Sequence, residues 1–230
     1  MISEIKKVFK KVLSLINPNK KHGVRIKKQI NGTDNEVLFN EVTTNLINCT
    51  FSISGNNNSI AIDEFCTLKN VIFYINGSNN VVTIGKKVKF NRGGEIWVED
   101  NNCLVKIDEA STFENVHLAC TEPYSKIEIG KDCMFAYDID VRTGDSHSII
   151  DAQTLKRINF AKNIKIGDHV WVASHVSILK GVQIANDSVI ATRSVVTKSF
   201  DSKNLLIAGQ PAKQIKNNIN WDRRRIYERD

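Results

Sequence analysis

No stretch of this chain approaches the ~20 consecutive apolar residues of a transmembrane helix, so the sequence reads as soluble. The N-terminus is a poor signal peptide. Lys6, Lys7, Lys10 and Lys11 interrupt its apolar residues, and no small-residue cleavage site follows. Cysteines number only five, odd and irregularly spaced, which excludes a disulfide framework and suits a reducing cytoplasm. Proline contributes three residues and aromatics 7%. No nucleic-acid motif accompanies the net charge of +7, so the lysines and arginines read as solvated faces serving a small anionic ligand. The 230 residues suffice for one elongated domain or one domain with small appendages.

What the chain does have is a repeat. G-T-D-N-E-V-L-F ends at Phe39, G-N-N-N-S-I-A-I at Ile62, G-S-N-N-V-V-T-I at Ile84, D-N-N-C-L-V-K-I at Ile107 and E-P-Y-S-K-I-E-I at Ile129. The steps are 23, 22, 23 and 22 residues, a period that means stacked units too small to bury their own apolar faces. Each unit closes on alternating apolar residues, the half-buried strand signal, after Asn and Gly that tolerate sharp turns. Six residues beyond the repeat end stands another apolar residue, Leu68, Phe90, Phe113 or Phe135, which reads as a core ladder. Four residues beyond it, Cys66, Val88, Ser111, Cys133 and Val170 occupy one small inward slot, which gives the cysteines a packing role. From Ile166 the pattern tightens to a strict period of six, through Val172, Ile178, Ile184, Ile190 and Val196. This hexapeptide repeat predicts a parallel β-helix, since an α-helix would repeat near 3.6.

Residues 3–16 predict one amphipathic helix, with Ile5, Val8, Phe9, Val12, Leu13 and Ile16 on one face and the four lysines opposite. Ser3 can cap it and Asn17-Pro18 ends it. Two readings stay open: a cap on the stack, which terminal units need, or peripheral contact with the inner face of the membrane. The expected organisation is a helical cap over residues 1–18, a β-helix over 24–206 and a C-terminal extension over 207–230. Between Ile129 and Ile166 the step is 37 residues, so about 15 are inserted after Val141 as a loop over about 142–160.

The stretch G-D-H-V-W-V-A-S-H-V-S-I-L-K-G-V-Q-I-A-N-D-S-V-I-A-T-R-S-V-V-T-K, with I-A-G-Q-P-A-K after it, resembles the hexapeptide-repeat acyltransferases. Residues 144–159 look like those of bacterial O-acetyltransferases acting on capsule or surface polysaccharides, sialic acid among them. The resemblance implies an all-β fold, a left-handed parallel β-helix, usually assembled as a homotrimer. It further implies transfer of acetyl from acetyl-CoA to a sugar hydroxyl, with no metal required. His147, in the loop, would be the general base, because an imidazole can take the hydroxyl proton near neutral pH and return it to the thiolate. Asp145 would orient that ring, contact the sugar or simply shape the turn, and Arg142 would meet the acceptor. Trp171 would line the donor and acceptor site. Ala173, Lys180, Ala191, Arg193, Lys198, Pro211 and Lys213 fall at the family's CoA-binding positions. Ala191-Thr192-Arg193-Ser194 departs from the glycine-rich family pattern, and Arg193 is a candidate phosphate contact.

Three alternatives remain. One is N-acetyl transfer to an amino-sugar nucleotide, which usually needs a separate nucleotide domain. Another is a β-helix without catalysis. The third is a zinc enzyme using His117, His169 and His175, which leaves the P-A-K close unexplained; these histidines otherwise read as ordinary surface residues. The run from Trp221 to Asp230, with Arg223, Arg224 and Arg225, would pack on a neighbour or bind an anionic acceptor.

Overall fold

The repeat-ending residues do stack. In the computed structural model, which describes residues 24–228, Phe39, Ile62, Ile84, Ile107, Ile129, Ile166 and Ile184 sit in one register on consecutive parallel strands. The predicted N-terminal helix lies outside the described residues. Among the described residues every pairing of named strands is parallel except the closing hairpin of Leu206–Gly209 with Ala212–Lys216, and one isolated antiparallel bridge joins Ile150 and Arg157 in the loop. The result is a parallel β-helix, a prism of stacked coils with three faces. No helix among the described residues is long and apolar enough to cross a membrane.

Each face has an inner column. On face 1, Leu46, Leu68, Phe90, Phe113, Phe135, Val172, Ile190 and Ile207 follow one another in register. All are essentially without solvent exposure. Phe90 and Phe113 stack with ring centroids 4.5 Å apart, and Phe113 meets Phe135 at 4.8 Å. On face 2, Phe51, Phe73, Ile96, Leu118, Val141, Ile178 and Val196 do the same. The repeat-ending residues form the column of face 3. Burying these branched and aromatic side chains at about 25 cal/mol per Å² of apolar surface is what holds the coils together.

The small slot is a corner. Thr44, Cys66, Ser111 and Cys133 each hydrogen-bond a carbonyl of the next coil, at 3.2, 3.1, 2.8 and 3.1 Å. Burial pushes the Cys66 and Cys133 thiols up to about 12, too high for a nucleophile at neutral pH. At another corner Gly55 adopts φ +124°, and a Cβ there would sit 2.0 Å from the carbonyl oxygen of Gly77 on the next coil. Asn58 and Asn80, fully buried, close that corner with bonds of 2.9 Å to the carbonyls of Gly77 and Asp100.

The coils are of two sizes. The early ones carry a ledge at the end of face 2, whose inner column is Ile53, Ile75, Val98 and Cys120. From Ile166 on, three six-residue sides make the coil, and 18 residues separate Ile166 from Ile184. The change of size coincides with the excursion from the stack. The strand Ile139–Arg142 supplies face 2 of its coil, and the chain rejoins face 3 only at Ile164–Ile166.

Candidate active site

Face 2 presents outward residues on alternate positions, and stacking aligns them into polar columns. Glu95, His117 and Asp140 form one column, and Tyr74, Trp97, Ala119 and Arg142 the next. The excursion folds beside these columns and adds Gly144, Ser146 and His147. With Glu95, Trp97, His117, Ala119 and Arg142 from the columns, these line an open cleft of about 530 Å³.

Inside it, His117 is the residue with a built environment. Its Nδ1 lies 2.9 Å from Asp140 Oδ1, and its Nε2 is 3.8 Å from Glu95 Oε2. Arg142 grips the same carboxylate with two bonds, Nε to Oδ2 at 2.6 Å and Nη2 to Oδ1 at 2.9 Å. Burial by itself would raise the Asp140 carboxyl, but the hydrogen bonds from His117 and Arg142 outweigh it and hold the group below its ordinary value. An ionised Asp140 is placed to accept a proton carried on Nδ1, and in that tautomer Nε2 would hold a lone pair. His117, read from sequence as an ordinary surface histidine, lines this candidate cleft.

His147 lines the same cleft from the loop, exposed, its ring without a hydrogen-bond partner among the described residues. Its backbone is held instead. Asn159, buried, donates to His147 O at 2.7 Å and to Asp145 Oδ2 at 2.8 Å, and accepts from Ile149 N at 2.7 Å. Asp145 does not reach the His147 ring. It pairs with Lys180, whose hydrogen bond, with that of Asn159, keeps the Asp145 carboxyl below its usual value. Arg157 pairs with Glu122, and the buried Thr143 hydroxyl donates to Thr121 O at 3.0 Å. These contacts fasten both ends of the loop to the coil beneath.

Of the residues marked by sequence, Arg142 and His147 meet in the cleft, and Asp145 with Lys180 closes the loop base beside it. The others lie elsewhere. Ala173, Ala191, Arg193 and Pro211 run along the corner after face 1 on the last coils, linked by Ala173 N to Ile190 O at 2.9 Å, Ala191 N to Ile207 O at 2.8 Å and Arg193 N to Ser174 O at 3.0 Å. Lys213 is exposed in the closing hairpin, opposite Ala208. Lys198 sits after face 2 with its ammonium 5.8 Å from the Phe200 ring centre. Trp171 does not line the cleft of its own chain. It stands on face 1, 6.1 Å from Trp221.

Within the C-terminal run, Trp221 and Arg223 pack on their own chain. Trp221 stacks on His169 at 4.2 Å and donates to its carbonyl at 2.8 Å. Arg223 reaches two coils back to Thr112 Oγ1 at 2.9 Å and Asp132 Oδ1 at 2.9 Å. His117, His169 and His175 each place Nδ1 against a different carboxylate, Asp140, Asp187 and Asp138.

The family model described as bacterial transferase hexapeptide (six repeats) matches residues 163–198. A polysialic acid O-acetyltransferase of Neisseria meningitidis is 37% identical over 132 residues, 57% of this chain and 60% of that protein. The matched stretch thus spans less than two thirds of that relative's own length. The crystal structure of the polySia-specific acetyltransferase NeuO superposes with a TM-score of 0.72 at 34% identity, covering 86% of this chain and 89% of that one. That of the polysialic acid O-acetyltransferase OatWY gives 0.76 at 32% identity, covering 90% and 95%.

Proposed function

The chain belongs to the bacterial hexapeptide-repeat transferases, and from that premise we propose that it transfers acetyl from acetyl-CoA to a hydroxyl of a sialic-acid polysaccharide. The observation that carries the reading is the Arg142–Asp140–His117 chain opening on a cleft of sugar size, in a protein similar to enzymes named for that acceptor.

We assign the general base to His117. As the acceptor oxygen attacks the thioester carbonyl carbon, His117 Nε2 takes the hydroxyl proton. The C–S bond then breaks, and the same proton passes to the departing sulfur. Asp140 fixes the ring and stabilises the transient imidazolium, and Arg142 keeps Asp140 ionised. His147, the residue implied by the family resemblance, lines the same cleft and is the second candidate for this role. The donor would lie along the corner of the last coils. There the small Ala173 and Ala191 leave a flat wall, and Arg193 and Lys213 are exposed for phosphate groups.

The test is acetyl transfer to oligosialic acid, followed by thiol release and by mass spectrometry of the product. His117→Ala is expected to lower kcat by about 10²–10⁴ while the protein remains folded. If His147→Ala is the silent variant, His117 is the base; the reverse outcome moves the role to His147. Turnover unchanged in both variants overturns the mechanism.

A further inference from the structure

The column beside His117 is built as a slot. Tyr74 and Trp97 stack with centroids 3.9 Å apart and planes 22° from parallel, so one indole face is covered. The uncovered face of Trp97 looks along the stack toward the next coil, where the register places Ala119. One coil further stands Arg142. Parallel strands are spaced about 4.8 Å, so Trp97 and Arg142 are about 10 Å apart at the backbone. The gap between them has only a methyl group for a floor, and all three residues line the cleft.

We infer that Trp97, Ala119 and Arg142 form the subsite that seats one carboxylate-bearing pyranose ring of the acceptor and thereby select the class of sugar acetylated. This deepens the acetyl-transfer reading and rests on it. An aromatic wall suits the apolar C–H face of a sugar ring, as aromatic side chains bury large apolar areas with defined geometry. Arg142 uses Nε and Nη2 on Asp140, and Nη1 has no partner among the described residues, which leaves a donor for the sugar carboxylate. Glu95 and Glu99 line the other side of the cleft and disfavour the carboxylate there, so the ring has one favourable orientation. His117 lies two residues before Ala119 on the same outward side of the strand, about 7 Å along it. A ring seated over Ala119 therefore turns an edge hydroxyl toward Nε2. Ala119 is the selective element, because any larger side chain on that coil fills the slot.

The experiment measures KM for oligosialic acid and for acetyl-CoA separately. Trp97→Ala is expected to raise the acceptor KM about tenfold with kcat and the acetyl-CoA KM little changed, and Trp97→Phe to restore most of it. Ala119→Leu, at an outward strand position that is only 6% exposed between its neighbours, is expected to abolish saturation by acceptor while acetyl-CoA still binds and the circular dichroism of the folded protein is kept. Carboxyl-reduced oligosialic acid should behave as a weak acceptor of the unmodified enzyme. If the wild-type protein acetylates sialosides and His117→Ala does not, yet Trp97→Ala and Ala119→Leu keep the wild-type acceptor KM, the slot is wrong and the function stands. If the wild-type protein acetylates no sialoside, the functional reading itself fails.

Discussion

Replacing Asn159 with alanine should loosen the loop that carries His147 without unfolding the prism. The side chain makes four hydrogen bonds: to Asp145 Oδ2 at 2.8 Å, to His147 O at 2.7 Å, from Ile149 N at 2.7 Å and from Arg157 Nε at 3.1 Å. A net hydrogen bond is worth about 0.5–1.5 kcal/mol, more with a charged partner. Asp145, His147 and Ile149 are exposed, so water replaces part of what is lost, and a local cost of about 2 kcal/mol follows. That corresponds to about 30-fold more frequent opening. Amide hydrogen exchange reads it directly. His147 N bonds Asp145 O at 2.7 Å, Ile158 N bonds Ile149 O at 2.9 Å and Asp151 N bonds Lys156 O at 2.8 Å, all within the loop. These amides should exchange about 30-fold faster in Asn159→Ala, while those of Ile127 and Ile166 on face 3 keep their rates, because loops open independently of packed strands. Equal loop exchange in the wild-type protein and the variant, or equal acceleration in the coils, refutes the idea that Asn159 holds the loop locally.

Two further outcomes follow from the packing and the charges. Phe113→Ala leaves a void between Phe90 and Phe135 and should cost about 3–5 kcal/mol in urea unfolding, against which a loss below about 1 kcal/mol would contradict the ladder as a source of stability. The Asp145 carboxyl is lowered from 3.8, chiefly by Lys180 and then by Asn159, so the pair's contribution is present above that pH and lost as pH falls through the depressed value. Loop amide protection should therefore hold from neutral pH down to about 4.5 and decline below 3.8. Asp145→Asn should flatten that acid limb, and an unchanged limb would remove the pair from the account.

The fold was legible because apolar positions obey it strictly. The spacing of Ile62, Ile84, Ile107 and Ile129 is the coil circumference, and Phe90, Phe113 and Phe135 fell in one buried column as expected. The excursion was visible as a broken interval, although it runs from Thr143 to Asn163 between strands, longer than the insertion alone. His117 was not legible, since a lone polar residue on an outward strand position looks like any solvated one. Yet the same arithmetic reaches it: Glu95, His117 and Asp140 are spaced 22 and 23 residues, as are Trp97, Ala119 and Arg142. Applied to outward strand positions, the coil period would have gathered both columns. The position of the Trp221–Arg223 strap carried no such signal, because its partners Thr112, Asp132 and His169 lie coils away and share no period with it.

The narrowing of the stack has a consequence for how such an enzyme can diversify. The ledge column ends at Cys120, and the loop leaves the very next coil where a further ledge would have been. Beyond it Ile164 and Ile166 resume pairing with Ile127 and Ile129 as though nothing had intervened. A change in loop length is thus absorbed at a seam, and the register of the remaining coils does not feel it. The segment between Arg142 and Ile164 can therefore change in length and sequence while the coils on either side keep their pairing.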